Sequence, residues 1–347
     1  MARADEGPWI DSAPWDLAWI QCGFWLAACH VTLLPRPGAF AAAYALAFLA
    51  FWMSHRVGTV LISFGLREYR ALAAAQPVRF AFLPAAWFVF AFAVIFAPAS
   101  VVEASLERRL LFLLIIRFGY NAFHFGAQHY GVLSLYRLRA GQDPGSASKG
   151  LEKAFCYWAA GASMIVPFMF NAPVIRAAAA FALVVLAARV ASAERAEPRP
   201  SAPKALYVLY LAAVSLAALL APNLQRTALL IAVQHYVVAT GLSTRMMANS
   251  TDALGRRPFS PAAAFALLFV LGLAPALLGY RSAHIDTVDW LFKTWWSNDG
   301  RGAGFKLAAA LVYGLSYAHN AWDAAVFRLR DPSVRAVSLP LLLGPAR

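Results

Sequence analysis

Apolar residues run along this chain in stretches of about twenty, broken by short clusters of arginine, proline and glycine. A helix crossing a hydrocarbon core of about 30 Å needs roughly 20 mostly apolar residues. Stretches of that kind lie at 14–34, 39–66, 80–98, 108–137, 151–170, 172–190, 204–221, 224–245, 261–280 and 305–327. In lipid, backbone polar groups must be satisfied inside the segment or in a closed barrel, and these stretches lack the two-residue alternation of barrel strands. The pattern therefore predicts an all-α fold: a polytopic integral membrane helical bundle of about ten transmembrane helices, with a range of eight to ten. The fifth and sixth stretches are separated only by Asn171 to Pro173, and the second leaves room for an interfacial turn after His55. Residues 1–347 read as a single transmembrane domain, with the Pro-rich stretch 192–203 as the place for an internal division.

Composition supports that pattern, since 61% of residues are hydrophobic and 14% charged, whereas soluble domains carry roughly a quarter charged residues. A net charge of +13 raises the question of nucleic acid, but the basic residues sit at the ends of apolar stretches and form no basic arm. Membrane topology accounts for them: connections after even-numbered stretches hold eighteen Lys and Arg, those after odd-numbered ones nine. Positive residues are retained on the cytoplasmic side, so both termini are expected there. Arginine far outnumbers lysine and alanine is abundant, the habit of a GC-rich bacterium, which places the chain in an inner membrane. Cys22, Cys29 and Cys156 are isolated within apolar stretches and suggest neither disulfides nor a thiolate metal site. The segment Met1 to Ala13 lacks the apolar core of a signal peptide. Arg281 to Gly304, with Trp290, Trp295 and Trp296, reads as an interfacial aromatic loop on the outer side.

Five of the seven histidines share one depth. Counted from the first cytoplasmic arginine of each stretch, His55 lies 12 residues away, His124 and His129 lie 13 and 8, His235 lies 10 and His319 lies 9. At about 1.5 Å per residue this is a layer roughly 12 to 20 Å deep, near the bilayer middle. His30 and His284 fall outside it. Polar side chains at such depth face the bundle interior, where they pair, hydrate or bind a ligand. Arg117, Tyr120, Asn121, His124 and Gln128 follow three- and four-residue steps and form one stripe, and His319 and Asp323 share a helix face. The tripeptide Gln128-His129-Tyr130 recurs as Gln234-His235-Tyr236. His124 and His129 point roughly 140° apart on a regular helix, so a shared ion would require a π-bulge near Gly126.

Neutral imidazole is a favoured ligand of iron, copper and zinc. His55, His124, His129, His235 and His319 are therefore the candidate metal ligands, with iron the favoured ion and heme a weaker form of the same idea. Asp323 is a candidate carboxylate ligand or an acceptor that fixes a histidine tautomer. Gln128, Tyr130, Gln234 and Tyr236 are candidates for orienting ligands or substrate. Arg117 has three readings: a partner for Asp323, a support for an anionic substrate group, or a donor to backbone carbonyls. The H-x-x-x-H and H-x-x-H-H boxes of lipid desaturases are absent from the sequence.

A helical membrane protein whose histidines lie on several spans without those boxes resembles the Brp/Blh-type bacterial carotene oxygenases, through His55, His124 or His129, His235 and His319. Where that family carries a proline-histidine-glycine signature, the second stretch here reads Met53-Ser54-His55-Arg56-Val57-Gly58. The resemblance implies a nonheme iron centre that attacks a lipophilic molecule with O2. The sequence expectation is thus a membrane metalloenzyme oxidising or oxygenating a lipophilic small molecule drawn from the membrane lipids. The rivals are a proton-coupled transporter or channel with the histidines as a relay, and a noncatalytic or heme-binding membrane subunit docking through its Trp-rich outer segment.

Overall fold

The computed structural model describes residues 7–26, 39–98, 100–142, 148–170, 172–220, 224–281 and 303–344. His30, Cys29, His284 and the Trp290, Trp295 and Trp296 loop lie outside the described residues. Each apolar stretch is helical where it is described, and no strand occurs among the described residues. The first stretch opens as α1 (Ala13–Trp15), whose free N–H at Trp15 donates to the Ser12 hydroxyl, and continues as a π turn at Asp16–Ile20. Then come α2 (Ala39–Val60) with a π turn at Leu61–Gly65, α3 (Arg67–Ala75), and a π turn at Val78–Phe82 leading into α4 (Leu83–Phe96). The remainder comprises α5 (Leu106–Arg139), α6 (Ser148–Met169), α7 (Pro173–Arg195), α8 (Ala202–Leu220), α9 (Leu224–Asn249), α10 (Pro261–Arg281), α11 (Ala303–Val326) and α12 (Pro332–Leu343).

By length and composition, the helical segments Val78–Phe96, Leu106–Arg139, Pro173–Arg195 and Ala202–Leu220 can each cross a membrane. A bent pair, Leu49–Gly65 with Arg67–Ala75, makes a fifth, so the described residues hold four to five candidate spans. Their outer faces suit lipid: α7 exposes Val174, Phe181 and Val184, and α4 exposes Val89 and Phe96, where a water-soluble helix would turn polar residues outward. In contrast α8 lies inside, with Tyr207, Tyr210, Leu211, Val214 and Ala218 all buried.

The second stretch does end in a turn after His55, but well beyond it. α2 continues to Val60, and the chain bends by 76° only after Gly65. α3 then runs with Tyr69, Leu72 and Ala73 buried and Arg67 and Arg70 exposed, the two-faced pattern of a helix lying along an interface. α2 packs most extensively on α10, α11 on α4, and α5 on α6. Gly272 permits the first of these contacts, since a Cβ there would stand 2.6 Å from both the Ala50 oxygen and the Ser54 nitrogen. No π-bulge forms near Gly126, because α5 is regular from Leu106 to Arg139. A Cβ at Gly126 would come within 3.0 Å of the Tyr157 backbone, so this glycine serves the close packing of α5 on α6.

α12 follows the last predicted stretch, and nothing in the hydrophobic spacing marked it. Asp331 caps it by accepting from the Ser333 and Val334 N–H groups. Its carboxylate also pairs with Arg79 at 2.7 Å. The Ser333 hydroxyl first, and the Arg79 guanidinium second, hold the Asp331 carboxyl far below the usual carboxylate range. A group depressed in this way stabilises the folded state above its unfolded pKa of about 4 and loses that contribution as pH falls below it. Asp331→Ala is therefore expected to lower the midpoint of thermal unfolding at pH 7, with the difference from the parent protein shrinking below about pH 4. A difference that stays constant between pH 7 and pH 3 would contradict this account.

Candidate metal centre

Four helices bring the polar layer together. α2 carries His55, α5 His124, α9 His235, and α11 both His319 and Asp323. Their burial is nearly complete: His55 is 0% exposed, His235 1%, His319 and Asp323 4% and His124 8%. The i, i+4 spacing of His319 and Asp323 points both side chains the same way, as helical geometry requires.

One donor atom from each of His55, His124, His235 and Asp323 lies within 4.8 Å of every other, and together these four could hold a metal ion. His55 Nε2 is 3.1 Å from His235 Nε2, 2.8 Å from His319 Nε2 and 3.2 Å from Asp323 Oδ2. Asp323 Oδ2 is also 3.1 Å from His124 Nε2 and 3.6 Å from His319 Nε2. An imidazole nitrogen carries one hydrogen or one lone pair, not several. His55 Nε2 cannot satisfy two other ring nitrogens and a carboxylate by hydrogen bonding alone. His124 Nε2 approaches the carboxylate without the angle of a hydrogen bond. A cation among these atoms would satisfy all of them. For a metal–nitrogen distance of about 2.1 Å, neighbouring ligand atoms stand about 3.0 Å apart in octahedral and about 3.4 Å apart in tetrahedral geometry; the contacts of His55 with His235 and Asp323, and of His124 with Asp323, fall at 3.1 to 3.2 Å, and the other pairs of the set lie within 4.8 Å. His319 stands outside the set of four while touching His55 and Asp323.

Supporting contacts fix this arrangement. Thr59 lies one turn after His55, and its hydroxyl donates to Asp323 Oδ1 at 2.5 Å. That leaves Oδ2 turned toward the imidazoles, as a donor that orients a ligating carboxylate does. Phe125 stacks on His235 with ring centroids 3.9 Å apart. The stripe on α5 faces the same interior: Gln128 Nε2 is 3.5 Å from the His235 carbonyl, and Asn121 accepts from Asn320 at 3.3 Å. Tyr236 lies beside the cluster, its ring centroid 5.9 Å from that of His55.

Three predicted residues are not brought in. His129 is turned away from His124 and its Nδ1 is 2.6 Å from the Tyr207 hydroxyl, as the 140° divergence on a regular helix dictates. Tyr130 neighbours Ser134 and Arg137 at the far end of α5, and Gln234 neighbours Tyr210. The two Gln-His-Tyr tripeptides thus play unlike parts, since His235 joins the cluster and His129 does not. Thr59, Phe125 and Asn320 were missed. The i, i+4 spacing of His55 and Thr59 was available as a signal for the first of them; the other two are visible only in packing.

The class of protein is therefore a helical membrane protein with a buried histidine and aspartate cluster that could hold a metal ion. Comparison of the chain with family models, with curated proteins and with solved structures gives no match, and the chemistry of the centre rests on its own geometry.

Proposed function

We propose that this chain is a multi-pass bacterial inner-membrane metalloenzyme that holds nonheme iron and oxidises or oxygenates a lipophilic molecule reaching it from the bilayer. In this reading the ten helical stretches all cross the membrane and both termini are cytoplasmic, as the arginine bias favours. The observation that carries it is the convergence of His55, His124 and His235 with Asp323 at ligand-to-ligand distances. A set of imidazoles and one carboxylate, without thiolate, suits nonheme iron; Cys22 and Cys156 are buried elsewhere. Donor atoms that all lie within 4.8 Å of one another favour a bare ion over heme, because a macrocycle would need them spread. The tight cluster also supports a metal centre over a proton relay, which calls for imidazoles in file. Iron would supply the redox chemistry with O2, while the protein excludes water and positions substrate. In this reading Tyr236 and Gln128, which lie beside the cluster, would orient it. These features agree with the resemblance to the Brp/Blh-type oxygenases.

Purified protein is expected to carry about one metal ion per chain, iron in the active form, by elemental analysis. Protein that retains no iron, copper or zinc, and takes up none on addition, would refute the reading.

A further inference from the structure

Away from the metal centre, the ends of α5 and α9 gather cations around the end of α12. Arg139 closes α5, and Arg245 lies in the last turns of α9. The carbonyls at a helix C-terminus have no partner within the helix and need donors from elsewhere. For α12 these come from one place: Asn249 donates to the Leu341 carbonyl at 2.9 Å, Arg245 to that of Leu342, and Arg139 to that of Leu343 at 2.7 Å. Arg139 also donates to the Ile10 carbonyl at 2.8 Å, and Arg245 pairs with Asp11. Residues near both ends of the described chain are thus tied to the same two guanidinium groups.

Arg139 and Arg245 stand on the wall of a cavity of about 670 Å³, and Arg257 lines it too. That volume is within the range of small-molecule sites. Arg257 is exposed and enters no hydrogen bond or ion pair among the described residues. Asp11 is the one acidic side chain on the wall among the described residues, and it is already paired with Arg245. Carbonyl partners orient a guanidinium without cancelling its charge, so three cations face the cavity against one carboxylate. α10 adds its start: Ser260 and Pro261 line the cavity, and the Ser260 hydroxyl accepts from the Ala263 N–H at 3.2 Å. The partial positive charge of a helix N-terminus acts in the same direction as the arginines. Trp15, Phe259 and Leu343 give the same cavity an apolar side, with the Arg245 guanidinium 5.6 Å from the Trp15 ring.

We propose that this cavity binds a phosphate ester, its oxygens taken by Arg139, Arg245 and Arg257 and its organic part laid against Trp15 and Phe259. Guanidinium forks match phosphate oxygens in geometry as well as charge, and a phosphate supplies the anion that the single carboxylate leaves wanting. The site is independent of the metal centre. Basic pockets between helices on the cytoplasmic side hold the head groups of anionic lipids, and the cavity lies at the helix ends that the arginine bias assigns to that side. A membrane phospholipid is therefore the source that its position favours, and a soluble phosphate ester offers the same chemistry.

Delipidated protein in detergent, titrated with dioleoyl phosphatidylglycerol or dioleoyl phosphatidylcholine and read by native mass spectrometry, tests it. The parent chain is expected to retain one phosphatidylglycerol, bound at least ~10-fold more tightly than the zwitterionic lipid. Arg257→Gln removes a side chain with no other partner among the described residues, so the fold is not at risk; it should weaken phosphatidylglycerol binding about 5-fold, the share of one arginine beside an anionic head group. Arg257→Lys should keep most of the affinity. Arg256→Gln is the control, because Arg256 is the next residue along the chain, exposed and outside the cavity wall; it should change nothing. Glycerol 3-phosphate at a 100-fold excess separates the sources: no displacement of the lipid assigns the site to a membrane head group, and full displacement assigns it to soluble phosphate esters. Equal binding of the two lipids, or the same loss from Arg256→Gln as from Arg257→Gln, would reduce the effect to general surface charge and overturn the site.

Discussion

Replacing His55 by alanine is expected to abolish stoichiometric metal binding, with affinity falling by more than the 10- to 100-fold typical of losing a residue that only hydrogen-bonds to a ligand. His55 is the hub of the cluster, its Nε2 within 3.2 Å of His235, His319 and Asp323. Its loss removes one ligand and the contact that holds His319 near the others. His319→Ala should cost less, because His319 stands outside the set of four mutually close donors. Thr59→Val retains every ligand and removes only the hydroxyl that turns the Asp323 carboxylate, so it should fall in the 10- to 100-fold range. His129→Ala is the control: its ring contacts Tyr207, and metal content should not change. Titration of each purified variant with Fe2+ or Zn2+ ranks them. The order inverts, and the centre as described is wrong, if His129→Ala loses the metal and His55→Ala keeps it.

The second large effect concerns stability. Where α5, α6, α7 and α8 meet, Glu152 accepts from Arg137 and pairs with Lys204 at 2.6 Å. Lys204 also contacts Glu194 at 2.6 Å and Gln142 at 2.8 Å. Glu194 in turn accepts from Gln142 and from the Ser201 N–H, tying down the stretch 192–203. Lys204 is 0% and Glu152 1% exposed. Removing one member leaves its partners buried and charged, which typically costs about 3–5 kcal/mol. Glu152→Ala, leaving both Arg137 and Lys204 without it, should show a cost of this size as a markedly lower denaturant midpoint. Asp252→Asn, at an exposed i, i+4 pair with Arg256, should shift nothing measurable. Similar midpoints for the two variants would mean that the buried network is not what holds these helix ends together.

Much of this protein is legible along the chain, for a physical reason. Lipid punishes unsatisfied backbone and exposed polar groups so heavily that runs of apolar residues translate directly into helices. The depth of His55, His124, His235 and His319 follows from counting at a fixed rise per residue, and the facing of His319 with Asp323 from the helical repeat. Depth, however, is common to every direction around a helix. Counting therefore put His129 in the same layer, and only its rotation on a regular α5 sends it to Tyr207. Tyr130 and Gln234 were drawn in by the repeated tripeptide, which says nothing about which face meets the bundle axis. α12 escaped notice because Asp331, Arg79 and burial against the bundle hold it, and not a span-length apolar run.

By itself the sequence determined a helical chain with segments apolar enough to cross a membrane and histidines at matching heights along them, since both are consequences of hydrophobicity and helical rise. Only the tertiary structure decided which imidazoles meet, that Asp323 lies among them with Thr59 behind it, and that His129 is turned to Tyr207 instead. Those are properties of helix rotation and packing between segments as many as 264 residues apart, as in the contact of Thr59 with Asp323, and no local pattern encodes them.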